Sequence, residues 1–211
     1  MITRQYFRFT SVLSELGFLL MLVSCAQTPY IQHTPPPQIG SGYQETLDIF
    51  EPGPLEVVVV VNNNMKMVHA GMFAGDNLLD PAGSYEYSRR LESNWKGVSL
   101  QDYLRFQLDD GPNVKLYRFP MPVELFAQIK SRLENAGRTI PLFCAAKVQS
   151  IISGIEPFES VPDSWIVSPS SLAKHLDVII NTNPLSGDCV WPNGTSCYPL
   201  VLDGALNTTL K

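Results

Sequence analysis

The amino-acid sequence predicts an α+β domain, a small antiparallel β-sheet with helices packed against it. Three segments carry that expectation. Leu55 to Val61 is a β-branched run whose only charge is Glu56, the pattern of a fully buried strand. Met65 to Ala74 reads as a second strand, with Met65, Met67, His69, Gly71 and Phe73 on one face by strict alternation. Further on, Phe126, Ile129, Leu133 and Ala136 recur at helical spacing and form one apolar face.

The remaining elements follow in order. Asn62-Asn63-Asn64 is turn chemistry between the first two strands. Gly75-Asp76 makes a tight turn into a third strand, Asn77 to Asp80. Ser99 caps a short helix from Leu100 to Leu108, Asp109-Asp110-Gly111-Pro112 breaks it, and Val114 to Phe119 is a further strand. Pro122 takes the first position of the amphipathic helix, and Gly137 stops it. A second helix runs from about Leu142 to Ser153 and stops at Gly154, with Cys144 one turn before Val148 on the face of Ile151 and Ile152. Ser168-Pro169 caps and opens a helix through Leu176, where His175 sits beside Lys174 and Asp177 on what reads as a solvated face. Residues 178–211 are poor in helix signals and rich in Asn, Gly, Pro and Thr, a loop-rich extension.

The first 25 residues read as an address. Arg4 and Arg8 precede a short apolar core, Leu16 to Val23, and Leu22-Val23-Ser24-Cys25 resembles the lipobox of bacterial lipoproteins. That resemblance implies lipidation of Cys25 and a chain anchored in the cell envelope; Ala26 after it favours the outer membrane, facing the periplasm. The alternative is a single transmembrane anchor, but the run falls short of the roughly 20 apolar residues that span a bilayer. Residues 26–54, with Thr34-Pro35-Pro36-Pro37 and Gly40-Ser41-Gly42, read as a tether. Residues 55–177 then form the domain, 178–211 the extension, and the whole leaves about 155 residues for one core. The formal charge is −5, which argues against nucleic acid as a partner, because phosphate binding needs a basic face.

Four cysteines sort into three jobs. Cys25 ends the lipidation signal. Cys189 and Cys197 lie close enough to bridge, either as a covalent clip on a core-poor segment or beside a groove lined by Trp191 and Tyr198. Cys144 is left as an odd thiol in an oxidising compartment, at the start of a helix whose free amides and dipole stabilise a thiolate. A thiol hydrolase also needs a base and a group that orients it. His69 is the best base, because His33 lies in the tether and His175 on the solvated face. Asp80 is the best orienter: a two-residue turn at 75–76 sets it opposite Gly71, diagonal to His69 across the hairpin. Each residue also has a bland role, Cys144 as a buried filler among alanines, His69 as a structural histidine, and Asp80 as the start of an Asp-Pro turn.

The ordered set is what distinguishes them. Val68-His69-Ala70-Gly71, a strand ending in Asp80, then Phe143-Cys144-Ala145-Ala146-Lys147-Val148 resembles the circularly permuted papain-like hydrolases, relatives of the NlpC-type cell-wall peptidases and the lecithin–retinol acyltransferases. The resemblance implies Cys144 as nucleophile, His69 as base and Asp80 in the third polar position. It implies acyl transfer on an amide, with peptidoglycan stem peptides as the accessible substrate, or on a lipid acyl ester. A fold retained for structure or binding, with Cys144 inert, is the non-enzymatic alternative. No Gly-rich phosphate loop, His-Glu-x-x-His, Cys-x-x-Cys or Gly-x-Ser-x-Gly segment is present, and neither a metal nor another cofactor is expected.

Overall fold

The computed structural model describes residues 47–65, 68–83, 85 and 94–198. The signal segment with Cys25, the tether up to residue 46 with His33, Met67, and residues 199–211 lie outside the described residues. Within them the fold is α+β. The strands are β1 (Glu56–Asn62), β2 (His69–Ala74), β3 (Asn77–Leu79), β4 (Asn94–Lys96), β5 (Val114–Pro120) and β6 (Asp188–Val190). The helices are α1 (Leu100–Leu108), α2 (Val123–Glu134), α3 (Cys144–Ile152) and α4 (Pro169–Thr182). One antiparallel sheet of six strands runs in the order β4-β3-β2-β1-β5-β6.

β1 reads as a continuous apolar run because it lies inside the sheet with both faces covered. Val57, Val59 and Val61 join the larger core with residues of α2, α3 and α4, while Val58 and Val60 join the smaller core with residues of α1. Its lone charge, Glu56, is answered by Arg118 of β5 through two contacts, Nε–Oε1 at 2.8 Å and Nη2–Oε2 at 2.7 Å. The α1 helix has the expected limits, with Ser99 Oγ accepting from the Asp102 amide. Glu51, just upstream of the domain, adds a second cap by accepting from Leu100 N (2.7 Å) and Ser99 Oγ (2.6 Å).

Several expectations shift. The second strand begins at His69 rather than Met65, which is fully exposed; pairing to β1 extends only to Asn62↔His69. Pro122 is the N-cap of α2, not its first helical residue, and the helix ends at Glu134, before Gly137. α4 runs six residues beyond Leu176, to Thr182, because Ile179 and Ile180 continue its buried face. The same face buries Asp177, so the expected solvated side is half core, and His175 is half-buried. The two short edge strands, β4 and β6, carry too little pattern to stand out in the sequence.

The largest correction concerns the extension. Asp188–Val190 join the sheet as β6, which pairs with β5 through Tyr117↔Cys189, and Cys189 and Cys197 form a disulfide with Cα atoms 5.3 Å apart. Trp191 is buried in the main core with both cysteines and does not line a groove. Tyr198 donates its hydroxyl to Asp177 Oδ1 at 2.9 Å. Asp177 also accepts from Tyr117 (2.7 Å) and pairs with Lys115 at 3.5 Å, so this buried carboxylate ties α4, β5 and the C-terminal segment together.

Candidate active site

The site is set by the end of the β2–β3 hairpin. Register runs Ala74↔Asn77, Phe73↔Leu78, Met72↔Leu79, with Gly75 at φ +59° in the two-residue turn. One step further, Asp80 falls opposite Gly71 and diagonal to His69, as the turn length predicts. There β3 ends: the Gly83 amide donates to the Asp80 carbonyl at 2.9 Å, closing a turn over Pro81-Ala82. So Asp80 does start a turn, with its backbone, while its carboxylate meets Tyr85 and His69.

That turn also places the cysteine. Thr139 N donates to Pro81 O at 2.9 Å, fixing the segment that leads into a 3₁₀ turn, Pro141–Phe143, and directly into α3 at Cys144. No side chain caps α3, leaving its first amides for whatever anion lies there. Ala145 and Ala146 are buried, small enough to let the helix N-terminus approach β2.

The three residues proposed from the sequence meet. His69 Nε2 lies 2.8 Å from Asp80 Oδ1, an ion pair when the imidazole is protonated. The other carboxylate oxygen accepts from Tyr85 N at 2.6 Å. Cys144 lies close enough to His69 and to the amides of Ala70 and Ala145 for all three to act on its thiol. All three are buried: Cys144 is 2 %, His69 3 % and Asp80 0 % exposed.

Charge follows from this packing. Burial alone would lower His69, but the Asp80 carboxylate, with a smaller contribution from Cys144, outweighs it and raises the imidazole from 6.5 to about 10. Burial pushes the Cys144 thiol up; its hydrogen bond to His69, the imidazolium charge and the two amides outweigh that and hold it below its ordinary value. Both shifts favour a thiolate–imidazolium pair over a neutral thiol and imidazole.

A groove of about 250 Å³ is walled by Phe143, Ala146 and Lys147, which flank Cys144 in the chain, together with Asp163 and Trp165. Phe143 and Trp165 stack at 6.2 Å, and Ile140, Leu142, Trp165 and Ile166 are exposed. Among the described residues no cluster of three or more His, Cys, Asp or Glu is arranged to hold a metal ion, and no helix is long and apolar enough to cross a membrane.

Sequence reasoning missed Tyr103. It sits on the buried face of α1 with Leu100, Leu104 and Leu108, so its spacing reads as core. The clue was Gly71: a Cβ there would overlap Tyr103 Oη and press on the Leu79 carbonyl oxygen at 3.1 Å. Glycine inside a strand marks close approach of another group. No protein-family model, curated protein or solved structure matches this chain.

Proposed function

We propose that this chain is a cysteine hydrolase of the permuted papain-like type, anchored to the cell envelope through a lipidated Cys25 and acting on peptide amides of peptidoglycan. The observation that carries the activity is the convergence of Cys144, His69 and Asp80 in one buried cluster with an ionised pair. The location and the substrate rest on the lipobox and on the order histidine strand, acidic residue, cysteine helix.

The chemistry is acyl transfer in two steps. The Cys144 thiolate attacks the amide carbonyl carbon, and the N-terminal amides of α3 receive the oxyanion. His69, already protonated, gives its proton to the leaving amine as the C–N bond breaks, leaving a thioester on Cys144. Water then attacks that carbonyl while His69 takes its proton, and the acid departs as the thiolate re-forms. Asp80 keeps the imidazole oriented and carries its charge throughout.

A lipid acyl ester is the second reading, favoured by one observation: the stacked Phe143 and Trp165 give the groove an apolar aromatic wall. Both readings are tested by the pH dependence of Cys144 alkylation with iodoacetamide in wild type and His69→Ala, followed by incubation with muropeptides and with phospholipid vesicles. Labelling well below pH 8 that slows in His69→Ala is the expected result. Labelling only on unfolding, indifferent to His69, would leave an inert packing cysteine in a structural or binding protein.

A further inference from the structure

We infer that Tyr103 is a positioning residue of the Cys144–His69–Asp80 cluster, its hydroxyl a buried donor kept for the cluster's negative charge. The inference rests on the acyl-transfer reading above. Tyr103 is 0 % exposed, and its ring is held edge-on by Phe73 at 5.6 Å and tilted against Tyr85 at 5.5 Å. Its Oη occupies the space that a side chain at position 71 would fill. Position 71 shares the strand face of His69 and lies opposite Asp80, so the hydroxyl is set against the two residues that hold the proton.

Packing does not account for that hydroxyl. A phenylalanine would fill the same ring site, whereas the hydroxyl is buried without a partner in hydrogen-bond geometry, an arrangement that native folds rarely keep without a use. Gln107 is its polar neighbour, but Gln107 Oε1 is taken by Asn62 Nδ2 at 3.1 Å, so the amide meets the phenol as a weak donor rather than an acceptor. The groups that act on the phenol are, after burial itself, Asp80, Cys144 and Tyr85, and together they keep it protonated. A neutral O–H beside two anions is a donor by default. When His69 passes its proton to the leaving amine, the oxyanion collapses to the thioester and Asp80 is left facing a neutral imidazole. The phenol O–H is the nearby dipole that offsets that loss of charge without moving a proton.

The test uses the full chain in detergent with Tyr103→Phe, which retains the ring contacts, beside wild type and His69→Ala. Carbamidomethylation at Cys144 is followed by peptide mass spectrometry from pH 4 to 10, with a thermal melt of each variant. Removing a donor from the anions moves the acid limb of the Tyr103→Phe profile up by about one pH unit, a roughly tenfold slower labelling on that limb, with the high-pH plateau retained. A Tyr103→Phe profile that superimposes on wild type, while His69→Ala loses its low-pH labelling, overturns this inference and leaves the enzyme reading standing. A His69→Ala profile identical to wild type overturns both.

Discussion

Replacing Asp80 by Asn tests the electrostatic logic of the site with the least disturbance of shape. Asparagine keeps an acceptor for the Tyr85 amide, now 2.6 Å from Asp80 Oδ2, and removes only the charge that faces His69 at 2.8 Å. Without that charge burial is opposed only by the smaller contribution of Cys144, and the imidazole falls well below about 10. Measured losses on breaking buried ion pairs run about 3–5 kcal/mol, and the lower end is the expectation for stability because asparagine stays hydrogen-bonded. The reactive consequence is larger than the structural one. At neutral pH the imidazole becomes neutral, the thiol loses its cation, and its own burial keeps it protonated. The assay is iodoacetamide labelling of Cys144 against pH: Asp80→Asn should label at least about tenfold more slowly than wild type at pH 6 and approach it above pH 9. Equal profiles between pH 5 and 8 would refute the claim that Asp80 sets the charge of this pair.

The same pair makes a prediction about stability. Between about 6.5 and 9 the folded pair (imidazolium and thiolate) and the unfolded one (imidazole and thiol) hold equal numbers of protons, so wild-type stability should be flat there; Cys144→Ala leaves His69 raised by Asp80 alone, and its contribution is complete below 6.5 and falls away as pH rises above it, by up to about 1.4 kcal/mol per pH unit in urea denaturation. Replacing Cys189 and Cys197 together by Ser opens a loop of separation 8 and should cost about 2.5 kcal/mol by the chain-entropy relation, read from urea midpoints; no loss would mean that Trp191 and the β5–β6 pairing hold the segment alone. Asp177→Ala leaves Lys115 buried beside two phenols that have lost their acceptor, and a loss of about 3–5 kcal/mol is expected from thermal or urea unfolding.

What was legible in the sequence divides along physical lines. The buried strand, the hairpin turn and the caps at Ser99 and Ser168 are local chemistry, and the structure reproduces them to within a residue. The Asp80–His69 neighbourhood followed from turn length alone, because a two-residue turn leaves one register. What was not legible depends on long-range partners. Trp191 and the two C-terminal cysteines sit in a segment with a loop's composition, and only β5 makes it a strand. Asp177 looks solvated in a helix next to Lys174, since nothing local announces Lys115, Tyr117 and Tyr198 around it. Asn62 and Asn64 read as turn residues, yet both are buried, and Asn62 bridges the end of β1 to the Gln107 carbonyl at 3.0 Å.

The burial of Cys144 weighs on both sides of the functional question, and energetics decides how. A cysteine that is 2 % exposed among alanines is what a packing residue looks like, and for the sulfur alone that account suffices. It does not extend to the neighbours. Placing Asp80 and His69 beside it removes two charged groups from water, at several kcal/mol each, for an attraction that apolar residues of like volume would often match or exceed. The same holds for a glycine kept at position 71 so that a hydroxyl can occupy its place. A site chosen for stability would have filled that volume with apolar side chains, as the opposite face of the same strand is filled with Ala70, Met72 and Ala74. The excess polarity is concentrated around one thiol and lowers its pKa, which is the property a nucleophile needs and a packing residue does not. For the proposed chemistry a carbonyl must reach that sulfur, so the groove beside Phe143 has to open toward Cys144 when substrate enters. Cys144 labelling in the folded state measures that opening directly: second-order rates that rise with pH through the thiol's lowered pKa require it, and complete protection at every pH would return the cysteine to the core.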